Sequence, residues 1–570
     1  MKLARKEWKG NPVSRGIAIA KVFLYEPLSF KVEKTSIPRE FVSEELDRFY
    51  GALSKAGEQL QKLYDDLCTE HPQQAKIFAA HQEILEDEEL LEEVETAINQ
   101  ECMGAESAVE QVFDQFAQIL AQVEDPLIAG RSADIIDVKK RILCILMGKK
   151  EKRLDQFEED VIIVAHDLLP SDTATLDRNH VKGIITEVGG TNSHCAILAR
   201  SFSIPAILGV DGITGELQDG WNAILDAMEG RVLCGYEEDE AKVYEERRIQ
   251  FDKRWQEEQA YLCKPGMTKD GVKVDIGMNI GSEHFQSEDD AYEYIGLFRS
   301  EFLYMEGEHL PTEDEQFTVY KNVLEKAQGK TVTLRTLDIG GDKTLPYMEL
   351  PREDNPFLGM RALRLCFLHP DIFKTQLRAA LRASVYGKLQ IMFPMVGSME
   401  DIYLAKAMVR EVKAELEQEG YAYDEGTKLG IMIEIPSIAL ISDLAAKEVD
   451  FASIGSNDLT QYLCAADRMN AQTEGYYQSY SPAMLRILRF VFHSFASQKK
   501  TVSVCGEMAG NPKSAAILVG LGARKLSMNY ASIPAVKAEL AKMTIDEMED
   551  MANHCMVLTT EEEIKRYVDM

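Results

Sequence analysis

The sequence lacks the features that mark membrane-spanning, secreted and disulfide-rich proteins. No apolar run in the 570 residues approaches the roughly 20 residues that a membrane-spanning helix needs. The first residues also lack the apolar core of a signal peptide. The 10 cysteines form no Cys-x-x-Cys pair, so neither a zinc site nor a disulfide framework is indicated. We therefore expect a cytoplasmic protein.

Basic charge is scarce as well. The chain has 63 lysines and arginines against 95 aspartates and glutamates, which gives a formal net charge of −32. This charge argues against binding to the backbone of nucleic acids, but it permits a basic protein partner. A chain of 570 residues is too long for a single core, and we expect about three or four domains.

Residues 29–147 are predicted to form a helical domain. From residue 42 onward, apolar side chains recur at alternating spacings of four and three, the pattern of a coiled-coil-like helix hairpin. Further helices are expected at 74–99, 105–122 and 131–147. The 74–99 segment has an acidic end that suits the docking of another protein, although a solvated helix face is the favoured interpretation of any single glutamate there: Glu86, Glu88 and Glu89.

The residues on either side of the helical domain follow an α/β pattern. We expect 1–28 and 148–235 to pack together as one α/β domain, with the helical domain as an insertion. The segment 236–262 is highly charged and contains no glycine or proline, so it predicts a long exposed linker helix. Such a helix is a natural place for one domain to move against another.

A glycine-rich turn in the α/β domain is the stretch around which the chain is organised. The segment GGTNSHCAILAR, residues 189–200, joins an apolar strand to the start of a helix. A helix N-terminus offers backbone N–H groups and the positive end of its dipole to an anion. The neutral imidazole of His194, beside Ser193, is a competent nucleophile near pH 7. The turn can therefore carry a phosphohistidine, and a structural histidine is the alternative.

Residues 263–570 alternate strands and helices and predict a (β/α)8 barrel, a fold in which the chemistry lies at the C-terminal ends of the strands. Eight strands are expected, at 272–280, 294–299, 332–338, 389–396, 429–435, 451–456, 502–507 and 525–528.

Charged residues follow these strands at the positions where a barrel places its active site. Glu434 and Asp458 stand at the ends of neighbouring strands, and paired carboxylates suit Mg²⁺. Cys505, at another strand end, is either a proton donor or a small buried side chain. Arginines at one barrel mouth would repel each other unless an anion lay among them. Four of them are predicted there: Arg299, Arg335, Arg361 and Arg468.

These segments resemble the phosphoenolpyruvate–protein phosphotransferases, the enzyme I family of the bacterial sugar phosphotransferase system. The resemblance covers essentially the whole chain in the family's domain order. Its most specific motifs are LRTLDIGGDK at 334–343, NPFLGMR at 355–361 and FASIGSNDLTQY at 451–462.

The resemblance implies a role for each candidate residue. His194 would be the phosphorylated histidine and Cys505 the proton donor, while Glu434 and Asp458 would bind Mg²⁺. Thr173 would contact His194. Phosphoenolpyruvate would be bound by five residues: Arg299, Arg335, Arg361, Asn457 and Arg468.

The resemblance also implies partners and a domain movement. The acceptor would be a small histidine-containing phosphocarrier protein that docks on the helical domain, and the barrel would form a homodimer. Because one histidine must visit two sites, the His194 domain is expected to swivel.

The turn before His194 departs from the family pattern, and three alternatives stay open. The family usually has Gly-Gly-Arg-Thr-Ser-His, whereas Thr191 and Asn192 precede Ser193 here. A phosphoenolpyruvate synthase or pyruvate-phosphate dikinase shares the swivelling histidine and the barrel, but it also carries a large nucleotide-binding domain. A Mg²⁺-dependent lyase would not need residues 1–235. A degenerate phosphorylation-sensing paralogue is supported by Asn192 alone.

Overall fold

The chain folds into two compact units, Met1–Lys253 and Arg254–Met570. The computed structural model describes residues 5–25, 36–68, 72–121, 126–149, 154, 157–168, 172, 176–190, 193–202, 204–283, 285, 290–305, 307, 309–340, 345, 347–348, 353–468 and 470–569.

The first unit contains an eight-stranded mixed sheet in the order β1-β8-β7-β3-β4-β5-β6-β2. Strands β3 to β6 pair in parallel, and the remaining pairs are antiparallel. Every residue of the apolar run that forms β4 is buried, as expected for a central strand. The strands are β1 Lys6–Lys9, β2 Asn11–Ser14, β3 Ile17–Tyr25, β4 Val161–Ala165, β5 Val181–Thr186, β6 Ala206–Leu208, β7 Asn222–Asp226 and β8 Arg231–Cys234.

Five helices lie between β3 and β4 in the chain. They enclose a core that includes Phe49, Leu60, Val94 and Phe113, which matches the apolar spacing of the sequence. The helices are α1 Val42–Cys68, α2 Pro72–Leu85, α3 Glu88–Asn99, α4 Ala105–Ala121 and α5 Pro126–Leu146.

The single helix expected at 74–99 is wrong, because the chain forms two helices there. α2 ends at Leu85, and Asp87 adopts an extended conformation as the N-cap of α3, its carboxylate accepting a hydrogen bond from the Leu90 N–H at 2.9 Å. The acidic run therefore begins a helix, where carboxylates interact favourably with the helix dipole.

Within the described residues, three more helices follow in the region of the sheet: α6 His194–Ser201, α7 Ile213–Glu216 and α8 Glu238–Gln259. The division between the two units falls inside α8, the element expected as a linker. Its first half is tied to the sheet, since Arg247 forms an ion pair of 3.0 Å with the buried Asp226 at the end of β7.

The second unit is a closed barrel of eight parallel strands, which confirms the predicted fold class. Strand β16 pairs in parallel with β9 and closes the ring. Side chains that include Leu297, Met392, Met432 and Phe451 form one core cluster. The strands are β9 Asp275–Ile280, β10 Tyr294–Arg299, β11 Thr331–Arg335, β12 Leu389–Phe393, β13 Lys428–Ile433, β14 Phe451–Gly455, β15 Thr501–Cys505 and β16 Lys525–Met528.

Helices accompany the barrel strands and share their large apolar core. They are α9 Phe302–Met305, α10 Glu313–Lys326, α11 Leu363–Leu368, α12 Pro370–Ala383, α13 Met399–Glu419, α14 Pro436–Leu440, α15 Ser442–Glu448, α16 Ser456–Cys464, α17 Pro482–Ser497, α18 Glu507–Gly510, α19 Pro512–Gly520, α20 Ile533–Leu540, α21 Ile545–Cys555 and α22 Glu561–Asp569. Within the described ranges, no helix has the length and apolar character needed to cross a membrane.

Candidate active site at the barrel mouth

The C-terminal ends of the barrel strands and the loops that follow them, here called the mouth, carry most of the predicted site residues. Arg299, Arg335 and Cys505 are the last residues of β10, β11 and β15. Glu434 follows β13 directly, and Asp458 lies in the first turn of α16, just after β14. Parallel strands of a closed barrel end on one face, so the fold brings these residues together.

Arg335 is buried between two carboxylates. Its guanidinium donates to Glu301 at 2.8 Å and pairs with Asp338 at 2.8 Å. Burial alone would lower the pKa of Arg335, but these two carboxylates outweigh that effect and raise the pKa above its ordinary value. The side chain is thus permanently charged and held rigidly at the end of its strand.

Arg361 reaches the mouth from the loop after β11 and shares the same acidic partner. Its Nη2 lies 2.9 Å from Asp338 and 3.6 Å from Asp458, and its Nη1 donates to the Tyr462 hydroxyl at 3.1 Å. Burial lowers its pKa, but the two carboxylates raise it by more. Asp338 therefore bridges two buried guanidinium groups.

The other two arginines are less constrained. Arg299 forms no hydrogen bond or ion pair with any residue that the structure describes, and desolvation together with the positive charge of Arg335 lowers its pKa. Arg468 is exposed and lies 3.6 Å from Asp458. The Asn457 side chain exchanges two hydrogen bonds with Glu507, one to the carboxylate and one from the backbone N–H. Arg299, which has no carboxylate partner among the described residues, leaves the mouth able to bind an anion.

Glu434 and Asp458 form the acidic part of the mouth. Both are buried, and Glu434 accepts a hydrogen bond from the Met395 N–H at 2.6 Å. Burial raises the pKa of Glu434, and the nearby charges of Asp458 and Asp338 raise it further, while Arg335 and Arg361 act in the opposite direction. The net effect is a raised pKa of Glu434.

This pair fits a hard divalent cation. Among the residues that the structure describes, Oδ1 of Asp458 is buried and has no hydrogen-bond partner. A cation would offset the mutual repulsion of the carboxylates, which adds to the effect of burial on the pKa of Glu434. In the described part of the chain no group of three or more metal-ligating side chains occurs. Two carboxylates are sufficient for Mg²⁺, which usually completes its six ligands with substrate oxygens and water.

Gly455 makes room for this arrangement. A Cβ atom at Gly455 would lie 2.8 Å from Oε2 of Glu434, so a larger residue there would displace the carboxylate.

Cys505 is buried at the end of β15, in the same core cluster as Leu297 and Met432. Its thiol lies 3.4 Å from the Ser453 hydroxyl, which donates to it, and 3.5 Å from the Ile454 carbonyl. Burial raises the pKa of the thiol. Cys505 consequently stays protonated, as a proton donor must.

The turn before His194 has the expected form. Gly189 has a φ of +112°, which glycine adopts readily. Ser193 is the N-cap of α6, with its hydroxyl accepting a hydrogen bond from the Ala196 N–H at 3.3 Å, and His194 is the first residue of that helix. The backbone position of His194 is thus at a helix N-terminus, where a phosphoryl group is favoured.

Some predicted residues lie outside the described residues: Thr173, Thr191 and Asn192. The neighbour of Thr173 is described, however. Asp172 is buried and accepts a hydrogen bond from the Tyr25 hydroxyl at 2.7 Å.

A groove between α1 and α2 lies beside the predicted docking residues. Its volume is about 640 Å³, and its lining includes Leu53, Leu85 and Glu86. The acidic residues Glu58 and Asp65 and the basic Lys62 also line this groove. Of the three predicted docking glutamates, only Glu86 is among the lining residues, whereas Glu88 and Glu89 are exposed in the first turn of α3.

Sequence reasoning missed the partners that hold the arginines. Glu301, Asp338 and Tyr462 stand inside or beside the quoted motifs, but their roles depend on contacts between different strands. The only available signal was their position immediately after a predicted strand or within a motif.

Three family models of PEP-utilising enzymes match different segments of the chain. Residues 255–545 match the family model of the PEP-binding domain of PEP-utilising enzymes, 9–131 match the model of the N-terminal domain, and 157–230 match the mobile domain. The chain is similar to the phosphoenolpyruvate-protein phosphotransferase of Bacillus subtilis, with 43% identity and 99% coverage of both chains. It is 42% identical to the protein of the same name from Staphylococcus carnosus, again with 99% coverage of both.

Among solved structures, a solution NMR structure of an enzyme I (nEIt) protein is 36% identical. The match covers 43% of this chain and 99% of that chain, with a TM-score of 0.39.

Proposed function

This chain belongs to the family of phosphoenolpyruvate–protein phosphotransferases, and from that membership we propose that it moves a phosphoryl group in two steps. The phosphoryl group passes from phosphoenolpyruvate to His194, and then to a histidine of a small phosphocarrier protein in the sugar phosphotransferase system. The observation that carries the proposal is the mouth itself, where two buried arginines share Asp338 and one of them, Arg361, lies 3.6 Å from Asp458.

The arginines are proposed to bind the anionic groups of phosphoenolpyruvate. Arg299 has no carboxylate partner in the described residues, while Arg335 and Arg361 are held in place by Asp338. Arg468 and Asn457 complete the binding set. Because Arg335 and Arg361 are fixed before the substrate arrives, they can stabilise the negative charge of a loose phosphoryl-transfer transition state without reorganisation.

Glu434 and Asp458 are proposed to hold Mg²⁺. When bound, the ion supplies positive charge that polarises substrate oxygens. The residues of the chain define where that charge sits, since Met395 orients Glu434 and Gly455 leaves room for its carboxylate.

The imidazole of His194 attacks phosphorus, an N–P bond forms and the P–O bond to the enolate oxygen breaks. The electron pair of the enolate then takes the proton of the Cys505 thiol at carbon three, giving pyruvate and a thiolate that solvent reprotonates. The raised pKa of Cys505 keeps the proton available.

The phosphocarrier is proposed to dock at the groove between α1 and α2. The groove joins apolar residues such as Leu53 and Leu85 to the acidic Glu58, Asp65 and Glu86. Such a surface suits a partner with a basic rim around an apolar centre.

The barrel is proposed to form a homodimer. Tyr403 and Leu404 on α13, Leu440 on α14 and Leu444 on α15 expose 50%, 54%, 62% and 43% of their surface. α13, α14 and α15 are neighbours in the barrel wall, and exposed apolar groups of this kind mark protein interfaces.

The central test is the intact mass of the protein after mixing with phosphoenolpyruvate and Mg²⁺. We expect one acid-labile phosphoryl group on the wild type and none on His194→Ala, because no other imidazole replaces the nucleophile. Binding of phosphoenolpyruvate to His194→Ala should persist, since the mouth is intact. A phosphorylated His194→Ala protein would contradict the proposal.

A further inference from the structure

Gln376 is a buried polar side chain that lies outside the set proposed to bind substrate. It is on α12 and is fully buried. Its Oε1 accepts a hydrogen bond from the Leu337 N–H at 2.8 Å, and its Nε2 donates to the Ser300 hydroxyl at 3.0 Å and to the Tyr320 hydroxyl at 3.1 Å. Both donors and the acceptor of the amide are therefore used.

The partners of Gln376 belong to the two strand ends that carry arginines. Ser300 stands between Arg299 and Glu301 and donates a hydrogen bond to the Arg335 carbonyl at 2.9 Å. Leu337 directly precedes Asp338. One amide thus joins the Ser300 hydroxyl beyond β10 to the backbone N–H of Leu337 beyond β11. Ser300 and Leu337 are each followed in the chain by a carboxylate that pairs with Arg335: Glu301 and Asp338.

On the helix side of the network, the side chains of Tyr304, Gln316 and Tyr320 all form hydrogen bonds. The hydroxyl groups of Tyr320 and Tyr304 both donate to Oε1 of Gln316, at 2.9 and 3.2 Å. Nε2 of Gln316 donates to the Pro311 carbonyl at 3.0 Å. A fully paired buried network fixes the positions of its members, because any displacement leaves a polar group unpaired in a dry environment.

We propose that Gln376 is a positioning residue for the first phosphoryl transfer. Its hydrogen bonds to Leu337 and Ser300 set the relative position of the strand ends that present Arg299 and Arg335 to the substrate. The inference rests on the proposed function. Loss of the amide frees both strand ends, and a displacement of about 1 Å at a reacting centre can cost about a hundredfold in rate.

Gln316 provides a matched control. It is as buried as Gln376 and belongs to the same network, but within the described residues its side chain forms hydrogen bonds with two tyrosines and with Pro311, not with a strand end. If the network only stabilised the barrel, the two glutamines would be equivalent. If Gln376 positions the arginines, only its replacement should change substrate binding.

The experiment is isotope exchange between labelled pyruvate and phosphoenolpyruvate, measured with the full chain and Mg²⁺. This assay needs no carrier. For Gln376→Met we expect the KM for phosphoenolpyruvate to rise about tenfold to a hundredfold, and by more than kcat falls, because the arginines contact charges present in both ground and transition states. Ser300→Ala, which removes one link, should raise KM by a smaller factor.

The control variant separates positioning from stability. Gln316→Met should lower Tm about as much as Gln376→Met while its KM stays within about twofold of the wild type. Equal KM values for the two variants would overturn the inference. If Gln376→Met does not fold, Ser300→Ala decides, and a wild-type KM in that variant would overturn it. Absence of exchange in the wild type would instead overturn the proposed function, and the inference with it.

Discussion

Glu434 is a carboxyl group whose charge depends on what else occupies the mouth. Burial and the neighbouring carboxylates raise its pKa, so without a cation Glu434 keeps its proton to a higher pH than an ordinary carboxyl group does. The sign of the effect on stability follows from this shift. A raised pKa in the folded state makes a contribution to stability that is present at low pH and is lost as the pH rises through the raised pKa.

Stabilisation by Mg²⁺ should therefore increase with pH. The cation needs the carboxylate form and competes with the proton, so we expect the Mg²⁺-dependent rise in Tm to be larger at pH 9 than at pH 6. At a free Mg²⁺ concentration of about 100 times its Kd, the ion would add about 2.7 kcal/mol to the free energy of unfolding. Thermal unfolding with Mg²⁺ and with a chelator, at each pH, measures it.

Glu434→Gln is the variant that checks this assignment. The amide has nearly the same shape but no charge, so the variant should be more stable than the wild type at pH 9 in a chelator and should gain little from Mg²⁺. A wild-type response to Mg²⁺ in Glu434→Gln would show that the ion binds elsewhere.

At the scale of elements, Tyr462 connects two segments that are distant in the chain. It lies on α16, and its hydroxyl donates to the Phe357 carbonyl at 2.6 Å while it accepts from Nη1 of Arg361 at 3.1 Å. Phe357 belongs to the short 3₁₀ helix Pro356–Leu358. One hydroxyl thus fastens the loop after β11 to the helix after β14, and holds Arg361 within that connection.

Removal of this hydroxyl should weaken substrate binding with little effect on folding. For Tyr462→Phe we expect a KM for phosphoenolpyruvate about three to ten times higher, because Arg361 loses one of its partners, and a loss of about 1 kcal/mol in the free energy of unfolding. Steady-state kinetics and denaturant unfolding measure the two quantities.

Tyr423→Phe is a suitable control for that prediction. Tyr423 also donates to a side chain, the carboxylate of Glu417, but that hydrogen bond is exposed and lies at the C-terminal end of α13, away from the mouth. The KM of Tyr423→Phe for phosphoenolpyruvate should equal that of the wild type. If both variants changed KM alike, the connection through Tyr462 would have no specific role.

The sequence predicted the elements well where apolar periodicity alone determines them. The eight barrel strands were predicted within a few residues of their observed bounds, because each is a short apolar run followed by polar residues. The helix break at Asp87 was missed, since a run of acidic residues is compatible both with the end of one helix and with the capped start of the next.

The sequence predicted only those site residues that lie in specific motifs or directly at the ends of strands. Arg335, Glu434 and Asp458 stand directly at strand ends, so barrel geometry alone brings them together. The bridging of Arg335 and Arg361 by Asp338 could not be predicted, because it depends on the path of the loop that carries Arg361. The contacts of Gln376 were hidden for the same reason, as that residue looks like any polar position on a helix.

At the scale of the whole molecule, net charge acts on an approaching protein partner over the longest distance. The chain carries a formal charge of −32, and the groove between α1 and α2 is lined by the acidic Glu58, Asp65 and Glu86 against the single basic Lys62. Long-range attraction of this kind accelerates association with a basic protein and is screened by salt.

We expect association with a histidine-containing phosphocarrier protein to slow as ionic strength rises. The Debye length falls from about 30 Å at 0.01 M to about 8 Å at 0.15 M, so the groove then attracts its partner only at close range. In the double variant Glu58→Gln and Glu86→Gln, the association rate at low salt should fall and its salt dependence should flatten. Stopped-flow measurement of the association rate at both ionic strengths tests this.

A second double variant distinguishes the effect of the charges that line the groove from the effect of the net charge of the chain. Glu92→Gln together with Glu93→Gln changes the total charge by the same amount at two exposed positions of α3 that do not line the groove. If the groove directs docking, this control should lose a smaller fraction of the low-salt association rate than the groove variant, because the attraction between charges weakens with their separation. If both double variants lose the same fraction of the rate, the total charge is responsible and the carrier docks elsewhere on the molecule.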